Sequence, residues 1–180
     1  MKRLLVCALL VLAPLLLPAQ VRSQTLPRLE GKSLSGAAVT LPDAARGRVT
    51  LLLFGFSKAS GTPCKAWAAH VWPSLRNDAQ ADVFTVAEMQ GIPGFIKSMV
   101  VGSIRRDTPE DYRSHFVPIF GDRTQWRQLA GYQKSAPDDA YLILLDPQGV
   151  IRWRAHGPYT PALYAQLQQQ MAKWRPAGKR

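Results

Sequence analysis

The chain has little cysteine: two residues in 180, Cys7 and Cys64, of which only Cys64 lies beyond the apolar segment that opens the sequence. A single remaining thiol excludes an internal disulfide, so stability has to come from a hydrophobic core. Histidine is equally scarce, with three residues at no metal-ligating spacing, and no zinc site or other metal is expected. Acidic side chains are few, 12 against 23 basic ones. After residue 17 no apolar run is long enough to cross a bilayer. The chain also lacks internal repeats, low-complexity tracts and any linker that would divide it.

What is present begins with a leader. Lys2 and Arg3 precede an apolar run over residues 4–17 and a polar stretch, PAQVRSQT, with small residues suited to cleavage, for example after Ser23. This is the three-part layout of a secretory signal. As a helix the run would reach only about 21 Å, against roughly 30 Å of hydrocarbon, so removal is predicted rather than anchoring. Cys7 stands at the start of the run, the wrong end for lipid attachment. Residues 1–23 therefore read as a signal and residues 24–180 as one exported, periplasmic domain, with association to a membrane allowed. Loss of Lys2, Arg3 and Arg22 leaves 20 basic and 12 acidic residues, a formal charge of +8 instead of +11. That balance favours anionic lipid headgroups or acidic proteins as partners, with solubility the first reading of so scattered an excess, and an exported protein is not expected to meet nucleic acid. The positive charges are scattered, and are densest at Arg105-Arg106 and in the tail KWRPAGKR.

The pattern of the mature chain alternates strands and helices. After a Gly- and Ser-rich lead-in, GAAVTLPDAARGRVTLLLFGF predicts a short strand, a turn and a central strand over residues 49–56, apolar without alternation and so covered on both faces. Thr62 and Pro63 suggest a helix start, a capping hydroxyl followed by a proline at the first helical position. Cys64, Ala68, Val71 and Leu75 then recur at helical spacing. Residues 82–89 predict a second strand, residues 95–106 a helix, and Thr108-Pro109-Glu110-Asp111 the start of another. FVPIF reads as an edge strand because of Pro118, and a helix is expected over residues 123–130. AYLILLDPQGVIRWRAHG is a hairpin closed by Asp-Pro-Gln-Gly. A final helix, capped by Thr160, aligns Leu163, Leu167, Met171 and Trp174 and should pack on that hairpin. The order implies an α/β fold: a central mixed sheet with helices on both faces and a helical insertion after the second core strand.

The path from GRVTLLLFGF through the Cys64 helix to YLILLDPQGVIRW resembles the thioredoxin and redoxin superfamily over residues 25–175. Within it, SIRRDTP and AYLILLDPQGVIRWRAHGPYTPALYAQL are similar to a narrower group, the thioredoxin-like assembly factor of the mitochondrial F-type ATP synthase. Ile151, Arg152, Trp153 and Gly157 stand at the matching positions of that motif. The resemblance implies a chaperone-like role without redox chemistry or cofactor, helping a subunit of a membrane complex, or another envelope protein, to assemble. The secretory leader departs from the Arg- and Ser-rich mitochondrial kind and implies a bacterial exported relative.

In that frame Cys64 occupies the second position of C-x-x-C and Gly61 the first, so the resolving pair is missing. Phase with Ala68, Val71 and Leu75 predicts that Cys64 packs as a small hydrophobe. The competing reading is a one-thiol oxidoreductase or peroxidase that uses Cys64 with an external resolving thiol. Peroxiredoxin and copper-chaperone patterns each lose a required residue, since Ser57 and Gly61 stand in place of Pro and Thr, and Ser60 in place of a second cysteine. His70 lies about 240° around the helix from Cys64. His115 and His156 read as isolated, and Asp138-Asp139 as a solvated loop pair. Pro137 is a candidate for the cis-proline that faces the active site in thioredoxins. The surface expected to bind a partner is the loop Ser60, Gly61, Thr62, Pro63. Trp72 and Trp126 are less committed to packing than the other tryptophans; partial burial is the expectation for them, with a protein or membrane-interface contact as the alternative.

Overall fold

The computed structural model describes residues 24–121 and 124–176. The leader with Cys7, the expected helix start at Arg123 and the last four residues of the basic tail lie outside them. Five strands form the central sheet: β3 (Val49–Gly55), β4 (Ala81–Glu88), β5 (Phe116–Ile119), β6 (Ala140–Leu145) and β7 (Ile151–His156), in the order β5-β4-β3-β6-β7. β4 runs parallel to β3 and to β5, while β6 and β7 are antiparallel to their neighbours. The sheet is therefore mixed, and the ends of β3, β4 and β7 lie on the same side as the start of β6.

Strand β3 is buried along its whole length because it supplies two cores. Leu51 and Leu53 point with Val83, Leu142 and Leu144 toward α1 (Gly61–Leu75) and α4 (Pro161–Trp174), meeting Trp67, Val71, Leu167 and Met171. Leu52 and Phe54 point the other way with Phe84, Val86, Tyr141 and Ile143. The alternation follows from the period of two in a strand. This second face is covered less by helix than expected. Its cover is the short α3 (Thr124–Ala130) and an antiparallel hairpin of β1 (Leu29–Lys32) and β2 (Ala38–Leu41).

The strand β1 falls in the stretch read as a lead-in. Its four residues carry little β-branched content, and pairing with β2 creates it. The close approach of Gly31 to β5, where a Cβ would lie 2.7 Å from Val117 Cγ1, holds it in place. Pro118 is on an edge strand as predicted, and the edge is partly closed by Leu34 N–H donating to the Phe116 carbonyl at 2.9 Å. α2 (Gly94–Asp107) forms the helical insertion, followed by a 3₁₀ turn over Glu110–His115 rather than a full helix. Thr160 caps α4, accepting from Leu163 N–H at 3.2 Å, as its sequence suggested.

Candidate functional site

Three loops meet at one end of the sheet: residues 56–60 after β3, residues 131–139 before β6 and residues 157–160 after β7. Helix α1 begins at Gly61, two residues earlier than a Thr62 cap would place it, and Thr62 does not cap it. Ser60 flanks the start, but its hydroxyl does not cap either. It donates to the Ser57 carbonyl at 2.6 Å and accepts from Ser57 N–H at 3.1 Å, while Ser60 N–H donates to Ser57 Oγ at 3.0 Å. This reciprocal turn shapes the entry to α1. Pro63, in the first turn, has no hydrogen bond to forgo there.

Cys64 follows on the sheet-facing side of α1 and is 3 % exposed. Its sulfur lies against β3: a Cβ placed on Gly55 would sit 3.4 Å from Sγ and 2.8 Å from Ser60 Oγ. Only glycine at position 55 leaves room for both. Burial pushes the Cys64 thiol up from 9.0 to about 12, with no compensating charge. At neutral pH it is a thiol, and both nucleophilic attack and metal ligation need the thiolate. The packing expectation for Cys64 matches this geometry.

The expected partner loop is brought to the surface only in part. Gly61 and Thr62 are exposed, Pro63 is half-buried, and Ser60 is fully buried, so its side chain serves the turn rather than a partner. Lys58 and Ala59, which the sequence did not single out, complete the exposed rim. A Cβ on Gly61 would meet nothing within 4 Å, so no steric demand explains glycine there.

The neighbouring loops are tied to this one. Ser57 Oγ donates to Asp138 Oδ1 at 2.6 Å, and Asp139 Oδ2 lies 2.7 Å from His156 Nδ1. The acidic pair is therefore not a free solvated pair, and His156 is not isolated: its ring also stacks on Tyr141. His115 likewise lies 3.2 Å from the buried carboxylate of Asp82, which Arg48 approaches to 2.7 Å. These partners sit on different elements, and spacing along one helix could not reveal them. His70 is exposed and stacks on Tyr159 with ring centroids 3.7 Å apart, whereas Cys64 is buried against the sheet.

Trp67 Nε1 donates to the Gly157 carbonyl at 3.1 Å, and Gly157 N–H to the Ala140 carbonyl at 3.0 Å. Gly157 has φ +131, a backbone state that side chains disfavour, which accounts for glycine at this motif position. Ile151 and Trp153 are half-buried against the two cores. Arg152 Nε donates to the buried Asp146 Oδ2 at 2.6 Å, and its guanidinium lies over Trp174 at 4.2 Å. The motif thus builds the hairpin and its contact with α4. Pro137 is exposed in the rim, but its peptide bond is trans: the one cis peptide among the described residues precedes Pro42. Trp126 is buried against Phe54, and Trp72 is half-buried, donating to Asp111 at 2.8 Å.

No protein-family model and no curated protein matches this chain. Solved structures do. A thiol-disulfide oxidoreductase from Bacteroides fragilis is similar at 16 % identity and a TM-score of 0.55, covering 81 % of this chain and 98 % of its own. The exposed lipoprotein thioredoxin Etrx1 of Streptococcus pneumoniae gives 15 % and 0.54, with 81 % and 99 % covered. BsSco, of the Sco family of cytochrome c oxidase assembly proteins, gives 12 % and 0.54, with 84 % and 95 % covered. At such identities the likeness is one of architecture, and it agrees with the mixed sheet and its helices: the chain has a thioredoxin-like fold.

Proposed function

We propose that this protein is a thioredoxin-fold binding protein with a degenerate active site, exported to the periplasm. There it acts as a chaperone-like factor in assembly or quality control of a membrane complex such as the ATP synthase. The observation that carries this reading is the state of the one thiol. Cys64 is 3 % exposed, is held protonated by burial, and has Gly61 where exchange chemistry needs a second cysteine. What remains at that end of the fold is a pinned rim of small exposed residues, Ala59, Gly61, Thr62 and Pro137, suited to contact with another chain. The secretory layout of the leader supports export, and the hairpin motif of Ile151, Arg152, Trp153 and Gly157 supports the assembly role. One structural neighbour is named as an assembly protein and another as an exposed lipoprotein.

The test is complementation of a deletion strain with Cys64→Ser, paired with crosslinking in intact cells. Full function of the serine variant and capture of a membrane-complex subunit are expected. Loss of function in the serine variant would count against the proposal. The second reading, a one-thiol oxidoreductase or peroxidase, draws on neighbours named for thiol-disulfide exchange. It requires an accessible Cys64 thiolate. Alkylation of the native protein at mildly acidic pH, without denaturant, would put it in first place.

A further inference from the structure

Helix α2 has 14 residues, none of them buried, although six are large and apolar: Phe95, Ile96, Met99, Val100, Val101 and Ile104. Phe95 is 86 % exposed and Met99 66 %, and these are the exposed large hydrophobic residues among those described. Lying four apart, they share one side of the helix, and Gly102 and Arg106 continue the same line at the next two turns. A Cβ on Gly102 would be 3.9 Å from Arg106 Nη1, so the guanidinium folds back along this stripe. Neither Arg105 nor Arg106 is ion-paired with a described acidic side chain. Lys97, by contrast, is occupied over the Phe120 ring at 4.7 Å. Along one flank of α2 a mainly apolar groove of about 620 Å³ separates it from β1 and β5; Leu34, Val101, Pro118 and Phe120 line it, and Arg105 stands at it together with Glu30. The helix is attached to the fold without being part of its core.

An apolar line ending in arginines that no described acidic side chain pairs, with one acidic residue, Asp107, at the end of the helix, has the layout of an element lying in a membrane interface. The formal charge of +8 that remains without the leader adds attraction to an anionic surface. α2 follows β4, which runs parallel to β3, so Phe95 stands at the same end of the sheet as the loop carrying Gly61 and Thr62. We propose that α2 is a docking element for an anionic bilayer, with Phe95 and Met99 entering the headgroup-acyl boundary and Arg105 and Arg106 meeting lipid phosphates. This rests on the reading of the protein as a factor at a membrane complex, and would hold the partner-facing rim toward the membrane side.

The test uses the full chain with phosphatidylcholine vesicles, with and without phosphatidylglycerol. The leader contributes equally to every variant, so the comparison isolates α2. The unaltered chain should bind the anionic vesicles more tightly, and Phe95→Ser with Met99→Ser should weaken this roughly tenfold. Arg105→Gln with Arg106→Gln should reduce the preference for phosphatidylglycerol and its sensitivity to salt, leaving the part due to the rest of the basic chain. A local probe removes any ambiguity from the leader. In a Cys7→Ser chain, a polarity-sensitive fluorophore on Met99→Cys should shift to shorter wavelength on anionic vesicles, whereas one on the exposed Gln168→Cys of α4 should not. An unshifted probe at position 99 overturns the proposal and leaves a protein partner as the cover for the stripe. Crosslinking to a membrane-complex subunit could still succeed in that case, so failure here is distinguishable from failure of the assembly reading.

Discussion

Cys64 and Gly61 stand three residues apart on the first turn of one helix, yet one side chain position is enclosed and the other open. The sulfur is packed against Gly55, and a Cβ at position 61 would touch nothing. Gly61→Cys should therefore be accommodated and restore a thiol pair. Exposed to an external disulfide, the variant is expected to form an internal disulfide between position 61 and Cys64, read as a loss of two hydrogens by intact mass. A variant that takes up only a mixed disulfide, or stays reduced, would show that the turn built by Ser57 and Ser60 forbids the bond. The packed state of Cys64 was legible in the sequence, because its phase with Ala68, Val71 and Leu75 is a property of one helix. The burial of Ser60 was not, since it depends on a reciprocal turn with Ser57 that no periodicity reports.

At the scale of elements, the hairpin β6–β7 shows how a local signal and a distant one combine. The turn Asp-Pro-Gln-Gly was readable from its residue types alone. Asp146 closes it, accepting from Gln148 N–H at 2.9 Å and Val150 N–H at 3.0 Å through Oδ1, and from Arg152 through Oδ2. That carboxylate is 1 % exposed, and Asp146→Ala leaves two part-buried backbone donors and a guanidinium without their acceptor, which should cost roughly 3 kcal/mol. Arg152→Ala keeps the two backbone bonds and should cost less, about 1–2 kcal/mol, by chemical denaturation. Equal losses would show that the ion pair, rather than the turn, holds the hairpin. The final helix and its Thr160 cap were likewise legible. The strand β1 was missed because a four-residue edge takes its identity from the strand it pairs with.

For the whole molecule, alkali should act through its buried acids. Burial pushes Cys64 from 9.0 to about 12, and raises Tyr112 and, despite its backbone hydrogen bond, Tyr141 above the ordinary 10.0. Each of these groups binds its proton more tightly when folded. Their contribution is therefore complete below the unfolded values, near pH 9 to 10, and is lost as pH rises toward the folded ones. Stability measured by urea unfolding should fall steadily above pH 9, and Cys64→Ala should flatten the part of that slope between 9 and about 12. A slope unchanged by the substitution would mean that the thiol is not buried in solution. The sequence by itself determined the α/β order, the doubly covered central strand, the hairpin, the last helix and the loss of the thiol pair. Those features follow from residue type and period within single elements. Only the tertiary structure decided that His156 meets Asp139, that His115 meets Asp82, that Pro137 is trans and that α2 rides outside the core. Each of these depends on segments distant along the chain arriving at one place, which no local pattern encodes.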